Sequence, residues 1–332
     1  MKAIVRSRYG GPEVLEMRDV DMPSVRDGDV LVRVQASSVS TADLDYLRGR
    51  PRFTRFIRSL YGVRAPRNRG LGLDVAGRVE AVGRGVGAFR VGDEVFGDLT
   101  EYGFGAFAEY ASAPERAFAH KPTVLTFEEA ATLPHAAALA MQGLRSGRRL
   151  EAGQSVLING ASGSVGPFAV QIAKALGAEV TGVCSAPKMD LVRALGADHV
   201  LDYAREDFTE RGRRYDRIID LAGHHSILAC RRALRDGGTY LWVGGSTVAL
   251  LAAVSIGPLI SLGRSRKLGL LPWRPFRRDE VRVLTELIEA GKLRLVIDRR
   301  YPLDQVPDAL RYLEGGHARG KVVINVGAAR TS

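Results

Sequence analysis

The chain has 332 residues, of which 45% are hydrophobic and 26% are charged. This length and balance exclude a disordered tail or a fibre and predict a globular protein of roughly two domains. The 48 basic residues outnumber the 37 acidic ones, giving a net charge of +11, and two cysteines are too few for a disulfide framework or a four-thiolate zinc site. The first residues lack an apolar run typical of a signal peptide, so we expect a reduced, cytoplasmic protein. Charge alone decides no mechanism, and no nucleic-acid partner is expected.

Short strands are predicted in the first third of the chain. β-Branched residues mark them at 3–5, 30–36 and 77–82, and glycine and proline residues separate them. This spacing is typical of an antiparallel, barrel-like domain, which we place at residues 1–125.

Strands and helices alternate in the middle of the chain. Strands are predicted at five places: 155–159, 179–184, 199–201, 217–221 and 239–243. A helix is predicted over 165–176, where apolar residues recur on one face and Gly177 follows. The alternation is typical of a parallel, doubly wound sheet, which we place at residues 126–270.

The last part of the chain predicts two helices, at 280–290 and 305–315, and two strands, at 295–298 and 322–326. By pattern these elements suit either domain. We assign residues 271–332 as a return to the first domain.

Residues 246–262 form the most apolar run, which Gly257 and Pro258 interrupt. At 17 residues the run is short of the roughly 20 that a helix needs to span a bilayer, so no membrane span is expected. A buried interface or a pocket wall is favoured over contact with a membrane surface.

A strand, a glycine-rich turn and a helix follow one another at 155–176. The residues expected to bind a nucleotide there are Ala161, Ser162, Gly163, Ser164, Val165 and Gly166. Small residues let the backbone approach a pyrophosphate, and the free N–H groups and dipole of the helix hold phosphate. The turn therefore predicts a dinucleotide site, with a purely structural turn as the alternative.

The end of the second strand indicates which dinucleotide binds. A site selective for NAD places Asp or Glu there, to accept the ribose hydroxyls, whereas this chain has Cys184 and Ser185. Lys188 follows three residues after Ser185, where the two side chains can meet a 2′-phosphate. We therefore predict NADPH, although Lys188 can also be a solvated lysine at a helix start.

Four segments resemble the medium-chain dehydrogenase/reductase superfamily, in its zinc-independent quinone oxidoreductase-like branch: 72–79 (GLDVAGRV), 91–95 (VGDEV), 106–110 (AFAEY) and 121–122 (KP). The resemblance covers essentially the whole chain. It implies an α/β fold with a GroES-like β-barrel catalytic domain and a doubly wound parallel-sheet Rossmann domain. It also implies a homodimer and the NADPH-dependent reduction of quinones or of the C=C bond of enones and alkenals.

The resemblance bears on zinc as well. Zinc alcohol dehydrogenases of the superfamily hold their metal with a Cys and a His-Glu pair, and the matching positions here are Ser40, Leu73 and Asp74. Neither Ser nor Leu replaces a thiolate or an imidazole ligand, and the six histidines show no metal spacing. We predict that no metal is bound.

Catalytic candidates follow from the segment 39–43 (VSTAD), where the branch often has Val-Asn-x-x-Asp near the nicotinamide. Asp43 matches this pattern and Ser40 replaces the Asn; we expect Ser40 to stabilise charge on the acceptor oxygen. Tyr46 is a candidate proton donor, with a packing role, solvent, Tyr61 and Tyr102 as alternatives.

The nicotinamide is expected at the carboxyl ends of two parallel strands, against 220–223 and 243–245. The residues expected to bind it are Gly223, Val243, Gly244 and Gly245. Nearby, Ala140 stands where relatives usually have Thr. The basic and aromatic segment 48–69 is interpreted as a lid, with solvated surface and nucleic-acid or membrane binding as alternatives.

These features predict an NADPH-dependent, zinc-independent reductase of a small apolar electrophile, a quinone, enone or alkenal. One alternative is an NADP-dependent alcohol or carbonyl oxidoreductase. Another is a nucleotide-binding interaction protein with little turnover, because the residues at 40 and 140 have lost polar groups.

Overall fold

A computed structural model describes residues 1–50, 62, 64–262, 265–274 and 277–327. Contacts divide the described residues into two compact units. Unit 1 takes those within Met1–His135, Pro275–Arg282 and Ile297–Ser332, and unit 2 takes those within Ala136–Arg274 and Val283–Val296. Residues 271–332, which the sequence predicts as a return to the first domain, therefore contribute to both units.

Fifteen strands lie within the described residues. They are β1 (Lys2–Arg6), β2 (Leu15–Asp19), β3 (Asp29–Val39), β4 (Asp74–Val82), β5 (Glu94–Asp98), β6 (Tyr110–Pro114), β7 (Phe118–His120), β8 (Ser155–Asn159), β9 (Glu179–Cys184), β10 (His199–Asp202), β11 (Tyr215–Asp220), β12 (Leu234–Trp242), β13 (Lys267–Leu270), β14 (Ile297–Pro302) and β15 (Lys321–Asn325).

Nine α-helices lie within the same residues. They are α1 (Thr41–Arg48), α2 (Phe127–Ala130), α3 (Pro134–Arg145), α4 (Gly166–Ala175), α5 (Met189–Ala194), α6 (Ile227–Arg232), α7 (Thr247–Ser261), α8 (Arg278–Glu289) and α9 (Val306–Glu314).

Unit 1 is built on a seven-stranded sheet in the order β14-β15-β3-β4-β5-β7, with β6 also paired to β3. All pairs are antiparallel except β14 with β15. The long strand β3 alternates buried valines with other residues, which is the period of a strand with one face in a core. Gly77 on β4 permits close approach to β3, since a Cβ there would lie 2.2 Å from the Arg33 carbonyl oxygen.

Two apolar clusters hold unit 1 together. One packs Val30, Val32 and Val34 of β3 against Phe89 and Phe118. The other joins helices α1 and α9 to β15 and contains Leu47, Leu310 and Ile324 among others. Each such buried side chain contributes roughly 1.5–3 kcal/mol of transfer free energy, so these clusters fix the start of α1 relative to the sheet.

Unit 2 is a six-stranded parallel sheet in the order β10-β9-β8-β11-β12-β13. Strand order reverses between β8 and β11, and open α/β sheets bind ligands at the carboxyl ends of the strands at such a point. The doubly wound sheet expected for the middle of the chain is thus confirmed. The strands predicted at 155–159 and 179–184 coincide with β8 and β9, whereas β12 begins five residues before the predicted 239.

The apolar run 246–262 forms helix α7, which packs along β13. Small residues face inward: a Cβ on Gly257 would lie 2.8 Å from the Leu268 carbonyl oxygen. Large apolar residues face outward, and Val248 and Leu262 are 78% and 71% exposed. In the part of the chain that the structure describes, no helix is both long enough and apolar enough to cross a membrane.

Candidate functional site

The turn after β8 brings the predicted nucleotide residues together. The N–H groups of Gly160 and Ala161 both donate to the Val183 carbonyl oxygen, at 3.0 and 2.9 Å, which ties the turn to β9. Gly160 has a positive φ of 89°, and Gly166 at the start of α4 sits so close that a Cβ would lie 2.3 Å from the Gly160 oxygen. The sequence therefore folds into a tight strand-turn-helix unit that only glycine permits.

The same turn offers a surface for an anion. A Cβ on Gly163 would meet only the Gly160 oxygen, at 3.6 Å, so space is open over its backbone. Helix α4 has ten residues, and its first N–H groups lie at this turn. The hydroxyl oxygen of Ser164 is buried and finds no hydrogen-bond partner among the described residues. An unpaired buried hydroxyl beside open space and a helix N-terminus suits a dinucleotide phosphate.

Ser185 and Lys188 lie after β9: Ser185 is the N-cap residue of a one-turn 3₁₀ helix, and Lys188 is its last residue. Both are half-buried, and the Lys188 N–H donates to the Ser185 carbonyl oxygen at 2.9 Å. Burial raises the pKa of the neighbouring Cys184 thiol to about 11, with the Asp202 charge adding to the rise and Lys188 opposing it. Cys184 is therefore a neutral packing residue, and Lys188 is a cation at this edge of the sheet.

The residues expected to meet the nicotinamide are also assembled. Gly223 and Gly245 form a parallel bridge, with the Gly223 N–H donating to the Gly244 oxygen at 2.8 Å. A Cβ on Gly245 would lie 2.3 Å from the Gly223 nitrogen, and the Val243 N–H donates to the Asp220 carbonyl oxygen at 2.9 Å. The loops after β11 and β12 thus form one backbone platform.

Asp220, the last residue of β11, anchors this platform to the sheet. Its carboxylate accepts hydrogen bonds from Asn159 Nδ2 at 2.7 Å and from the Tyr240 hydroxyl at 2.8 Å. Burial raises its pKa, although the two donors oppose the rise. Because Asn159 ends β8 and Asp220 ends β11, this hydrogen bond joins the two strands where their order reverses.

The candidates Ser40 and Asp43 lie in unit 1 at the start of α1. Ser40 is the N-cap residue, and its N–H donates to Asp43 Oδ2 at 2.8 Å while its hydroxyl lies 3.2 Å from the same oxygen. The other carboxyl oxygen accepts from the Gly72 N–H at 3.2 Å. Burial raises the pKa of Asp43 to about 7, since the hydrogen bonds from Ser40 and the charge of Lys321 offset only part of the desolvation.

Tyr46, one turn further along α1, is fully buried. Its ring stacks on Phe104 with centroids 3.9 Å apart, and the Arg6 guanidinium carbon lies 4.2 Å from its centroid. Arg6 also donates to the Tyr46 carbonyl oxygen. These contacts favour the packing role that the sequence left open; proton donation by Tyr46 stays a prediction.

Asp74, at a position that matches a zinc ligand of the zinc dehydrogenases, forms a buried ion pair. The Lys321 ammonium lies 3.0 Å from its Oδ2, and the two side chains are 1% and 0% exposed. Ser38 donates to the same oxygen at 2.5 Å. A side-chain cation from the last strand is therefore the partner of this carboxylate.

His135 completes a polar cluster that we define as Ser40, Asp43, Asp74, Asp98, His135 and Lys321. Its N–H donates to Asp74 Oδ1 at 2.9 Å, and its ring Nδ1 lies 3.1 Å from Asp98 Oδ2. Sequence reasoning missed Asp98, His135 and Lys321, because no short spacing connects them. In the described ranges, no group of three or more His, Cys, Asp or Glu side chains is arranged to hold a metal ion.

Of the remaining candidates from the sequence, Tyr102 and Ala140 lie within the described residues and Tyr61 does not. Tyr61 and most of the lid interpreted over 48–69 fall on 51–61 and 63, outside the described residues. Tyr102 is half-buried, and its hydroxyl accepts from Arg116 Nε at 3.1 Å. Ala140 is fully buried on α3.

Comparisons with known proteins agree with this architecture. Residues 26–123 match the family profile described as alcohol dehydrogenase GroES-like domain, and residues 195–324 match the one described as zinc-binding dehydrogenase. The chain is 32% identical over 335 residues to the chloroplastic NADPH-dependent alkenal/one oxidoreductase of Arabidopsis thaliana, covering 98% of this chain and 79% of that protein.

Two solved structures are also similar. The quinone oxidoreductase from Coxiella burnetii has a TM-score of 0.86 and 30% identity, covering 98% of this chain and 99% of its own. The Escherichia coli quinone oxidoreductase complexed with NADPH has a TM-score of 0.84 and 25% identity, covering 98% and 100%. With a GroES-like domain and a parallel sheet of Rossmann strand order, the chain belongs to the medium-chain dehydrogenase/reductase superfamily, in its quinone oxidoreductase-like branch.

Proposed function

We propose that this protein is an NADPH-dependent oxidoreductase that reduces a quinone or the C=C bond of an enone or alkenal. The observation that carries the proposal is the glycine turn after β8, in a chain of this branch. Within the described part of the chain the Ser164 hydroxyl has no hydrogen-bond partner, and the backbone at Gly163 is open. The related proteins named above are an alkenal/one oxidoreductase and quinone oxidoreductases, one of them complexed with NADPH.

Two parts of unit 2 would hold the cofactor, which when bound supplies a hydride. The turn at 161–166 would bind the pyrophosphate, and Ser185 and Lys188 would bind the 2′-phosphate with a charge-assisted hydrogen bond. The platform formed by Gly223 and 243–245 would support the nicotinamide, with Asp220 as its anchor.

Ser40 supplies the hydrogen bond to the acceptor oxygen in this proposal, and Asp43 controls its direction. With Asp43 ionised, the serine hydroxyl donates to the carboxylate. With Asp43 protonated, the carboxyl O–H can donate to Ser40 Oγ, and the serine proton is released toward the developing oxyanion. Because the pKa of Asp43 is about 7, this release is favoured below neutral pH.

Metal independence is part of the proposal. Ser40 and Leu73 offer neither thiolate nor imidazole, and Lys321 already neutralises Asp74 at 3.0 Å. An ammonium held by the fold is thus the partner of Asp74, at a position that matches the His-Glu pair of the zinc dehydrogenases.

Two copies of the chain are proposed to pair through unit 2. Strand β13 is at the edge of the sheet, and Leu270 on it is exposed. An open strand edge beside the large apolar side chains Val248, Leu251 and Leu259 is a surface that another copy can cover by symmetric contact. Location in the cytoplasm stays a prediction.

The decisive experiment follows NADPH oxidation by the purified protein with a quinone, an enone, an alkenal and a ketone, and NADP⁺ reduction with alcohols. We expect turnover of quinones, enones or alkenals. Turnover of alcohols and ketones alone would establish the alcohol or carbonyl oxidoreductase instead. Tight NADPH binding without turnover would indicate the interaction protein.

A further inference from the structure

A small polar cavity lies in unit 2, at the edge of the sheet where β8 and β11 begin. It has a volume of about 80 Å³, several times the roughly 10–15 Å³ that one water molecule needs. Its walls include Arg148 and Arg149, which follow α3, Asp216 and Arg217 on β11, and Asp236 and Thr239 on β12. The nucleotide turn follows the other end of β8, so this cavity is separate from the proposed cofactor site.

Arg217 places a buried guanidinium at the wall of this cavity. The residue is 3% exposed, and its Nη1 donates to the Gly143 carbonyl oxygen at 2.9 Å. Further hydrogen bonds from Nη1 and Nη2 go to the carbonyl oxygens of Leu144 and Arg148. In the described part of the chain no carboxylate pairs with Arg217, and its buried Nε has no hydrogen-bond partner. The carbonyl oxygens thus satisfy part of the guanidinium but carry no full negative charge.

The charge of Arg217 is therefore left without a counter-ion in the described ranges. Burial lowers the pKa of the guanidinium, and no carboxylate among those residues opposes the fall. Arginine stays protonated in proteins, so a buried arginine without a counter-ion raises the free energy of the folded state. An anion that enters the cavity would remove this cost and meet the Nε–H donor.

Two aspartates line the same cavity, and each already has an arginine partner. Asp216 Oδ2 lies 2.9 Å from Arg235 Nη1. Asp236 Oδ1 lies 3.1 Å from Arg266 Nη2. The two carboxylates are thus neutralised from outside the cavity, and neither serves as the counter-ion of Arg217.

Arg148 and Arg149 add two cations on the solvent side of the cavity. Both are exposed, and among the described residues neither forms an ion pair. A Cβ on Gly237 would lie 2.8 Å from Arg148 Nη1, so this guanidinium lies against β12. Thr239 of the same strand also lines the cavity and has a hydroxyl that can donate. Guanidinium groups bind phosphate through paired N–H donors, so this set of side chains suits an oxyanion.

We propose that this cavity binds a phosphate-class oxyanion, held by Arg148, Arg149 and Arg217. The ligand is inorganic phosphate or the phosphate group of a small monoester. A monoester has room for its body, because Arg149 also borders a groove of about 790 Å³ whose walls include Leu150 and Leu176. The anion pairs with the buried guanidinium and ties the segment after α3 to β11 and β12. Because it binds the folded chain alone, it stabilises unit 2, independently of the proposed reductase activity.

The first test is thermal unfolding of the full-length protein in phosphate and in chloride at equal ionic strength. Phosphate should raise the melting temperature until its site is saturated, and chloride should not. Calorimetric titration should give one phosphate site per chain when saturating NADPH is present to fill the nucleotide turn. No saturable binding of phosphate would overturn the proposal, and binding that NADPH abolishes would assign the phosphate to the nucleotide turn instead.

The second test compares the double variant Arg148→Ala/Arg149→Ala with the matched control Arg214→Ala/Arg232→Ala. The control removes two exposed arginines of unit 2 that lie outside the cavity, so the change in net charge is the same. The first variant should lower phosphate affinity by about tenfold, because it removes two charge-assisted contacts at the surface. The control should leave the affinity unchanged. Equal affinities in the two variants would overturn the proposal.

Arg217→Met removes the buried charge itself and should abolish phosphate binding. Arg217 also holds three carbonyl oxygens, so loss of folding in this variant would leave the decision to the exposed pair. A folded Arg217→Met protein that binds phosphate with wild-type affinity would overturn the proposal.

Phenyl phosphate and inorganic phosphate, each titrated with NADPH bound, distinguish the two sources of the anion. Tighter binding of phenyl phosphate that Arg148→Ala/Arg149→Ala weakens would identify a phosphate monoester as the ligand. Equal or weaker binding of phenyl phosphate would identify inorganic phosphate. Phenol has the ring without the charge and should not compete with either. Binding of phenol as tight as that of phenyl phosphate would overturn recognition of the anion.

Discussion

Gly166 and Gly163 lie three residues apart in one turn, and alanine at the two positions should have opposite effects. A Cβ on Gly166 would lie 2.3 Å from the Gly160 oxygen and 2.4 Å from the Ala161 carbonyl carbon, both of them backbone atoms. Ordinary contact begins at 3.4 Å, so the turn or α4 must move by about 1.1 Å. A Cβ on Gly163 would meet only the Gly160 oxygen, at 3.6 Å, and requires no movement.

The magnitudes follow from these distances. Overpacking a close contact costs roughly 1–3 kcal/mol, so Gly166→Ala should lower the melting temperature by about 2–12 °C for a domain of this size. The same substitution should also weaken the binding of NADPH, since the displaced N–H groups no longer meet its phosphates. Gly163→Ala should leave the melting temperature unchanged. It should lower the affinity for NADPH by about tenfold or more, because the alanine methyl group occupies the space through which a phosphate approaches the backbone.

The assays are thermal unfolding of the cofactor-free protein and fluorescence titration with NADPH, applied to both variants. Equal melting temperatures for Gly166→Ala and wild type would refute the steric argument. Unchanged NADPH affinity in Gly163→Ala would refute the assignment of this turn to the pyrophosphate.

Four further predictions concern the cofactor, the metal, the acceptor oxygen and the assembly. Lys188→Ala should weaken NADPH by about 1–3 kcal/mol in a binding titration and leave NADH unchanged, whereas the surface variant Lys292→Ala should change neither; equal losses for both cofactors would exclude a 2′-phosphate contact. Elemental analysis should find no stoichiometric zinc, and a chelator should leave the rate unchanged; one tightly bound zinc per chain would contradict the ligand argument. Ser40→Ala should lower kcat by roughly tenfold to a thousandfold with NADPH affinity unchanged, and it should abolish the fall in rate as pH rises through about 7, where Asp43 ionises; a wild-type rate would leave Ser40 with a packing role only. Light scattering should show a dimer that Leu259→Asp dissociates, and a wild-type monomer would refute the β13 interface.

The sequence was sufficient to predict the parallel sheet of unit 2 and the strand-turn-helix order at 155–176, because their determinants are local. The bounds of β8 and β9 follow from short apolar runs, and the turn between β8 and α4 depends on glycines within seven residues of one another. Ser185 and Lys188 follow shortly after β9, so their positions depend on the same short-range pattern. Period and spacing carry such information directly.

The polar cluster of unit 1 could not be predicted in this way. Asp74 and Lys321 are 247 positions apart, and Asp98 and His135 are 37 apart, so only the folded sheet brings them together. A lone His after Leu-Pro has no periodic signal that identifies an acidic partner. Tyr46 shows the converse: its spacing from Asp43 fits an active-site tyrosine, yet Arg6 and Phe104 enclose its ring.

Pairing of β15 with β3 has a consequence for biosynthesis. Strands β3, β4 and β5 have been synthesised by residue 98 and β6 by residue 114, but residues 36–39 of β3 gain their partner on the β6 side only when residues 321–325 are synthesised. At ordinary translation rates the interval after residue 98 lasts roughly 10 to 45 s, during which residues 36–39 lack the β15 partner and Asp74 lacks the Lys321 ammonium. Unit 2 has all its strands by residue 270, so it can complete its sheet during the wait. Messages truncated before codon 321 should therefore yield a protein with a folded nucleotide sheet and an aggregation-prone amino-terminal part.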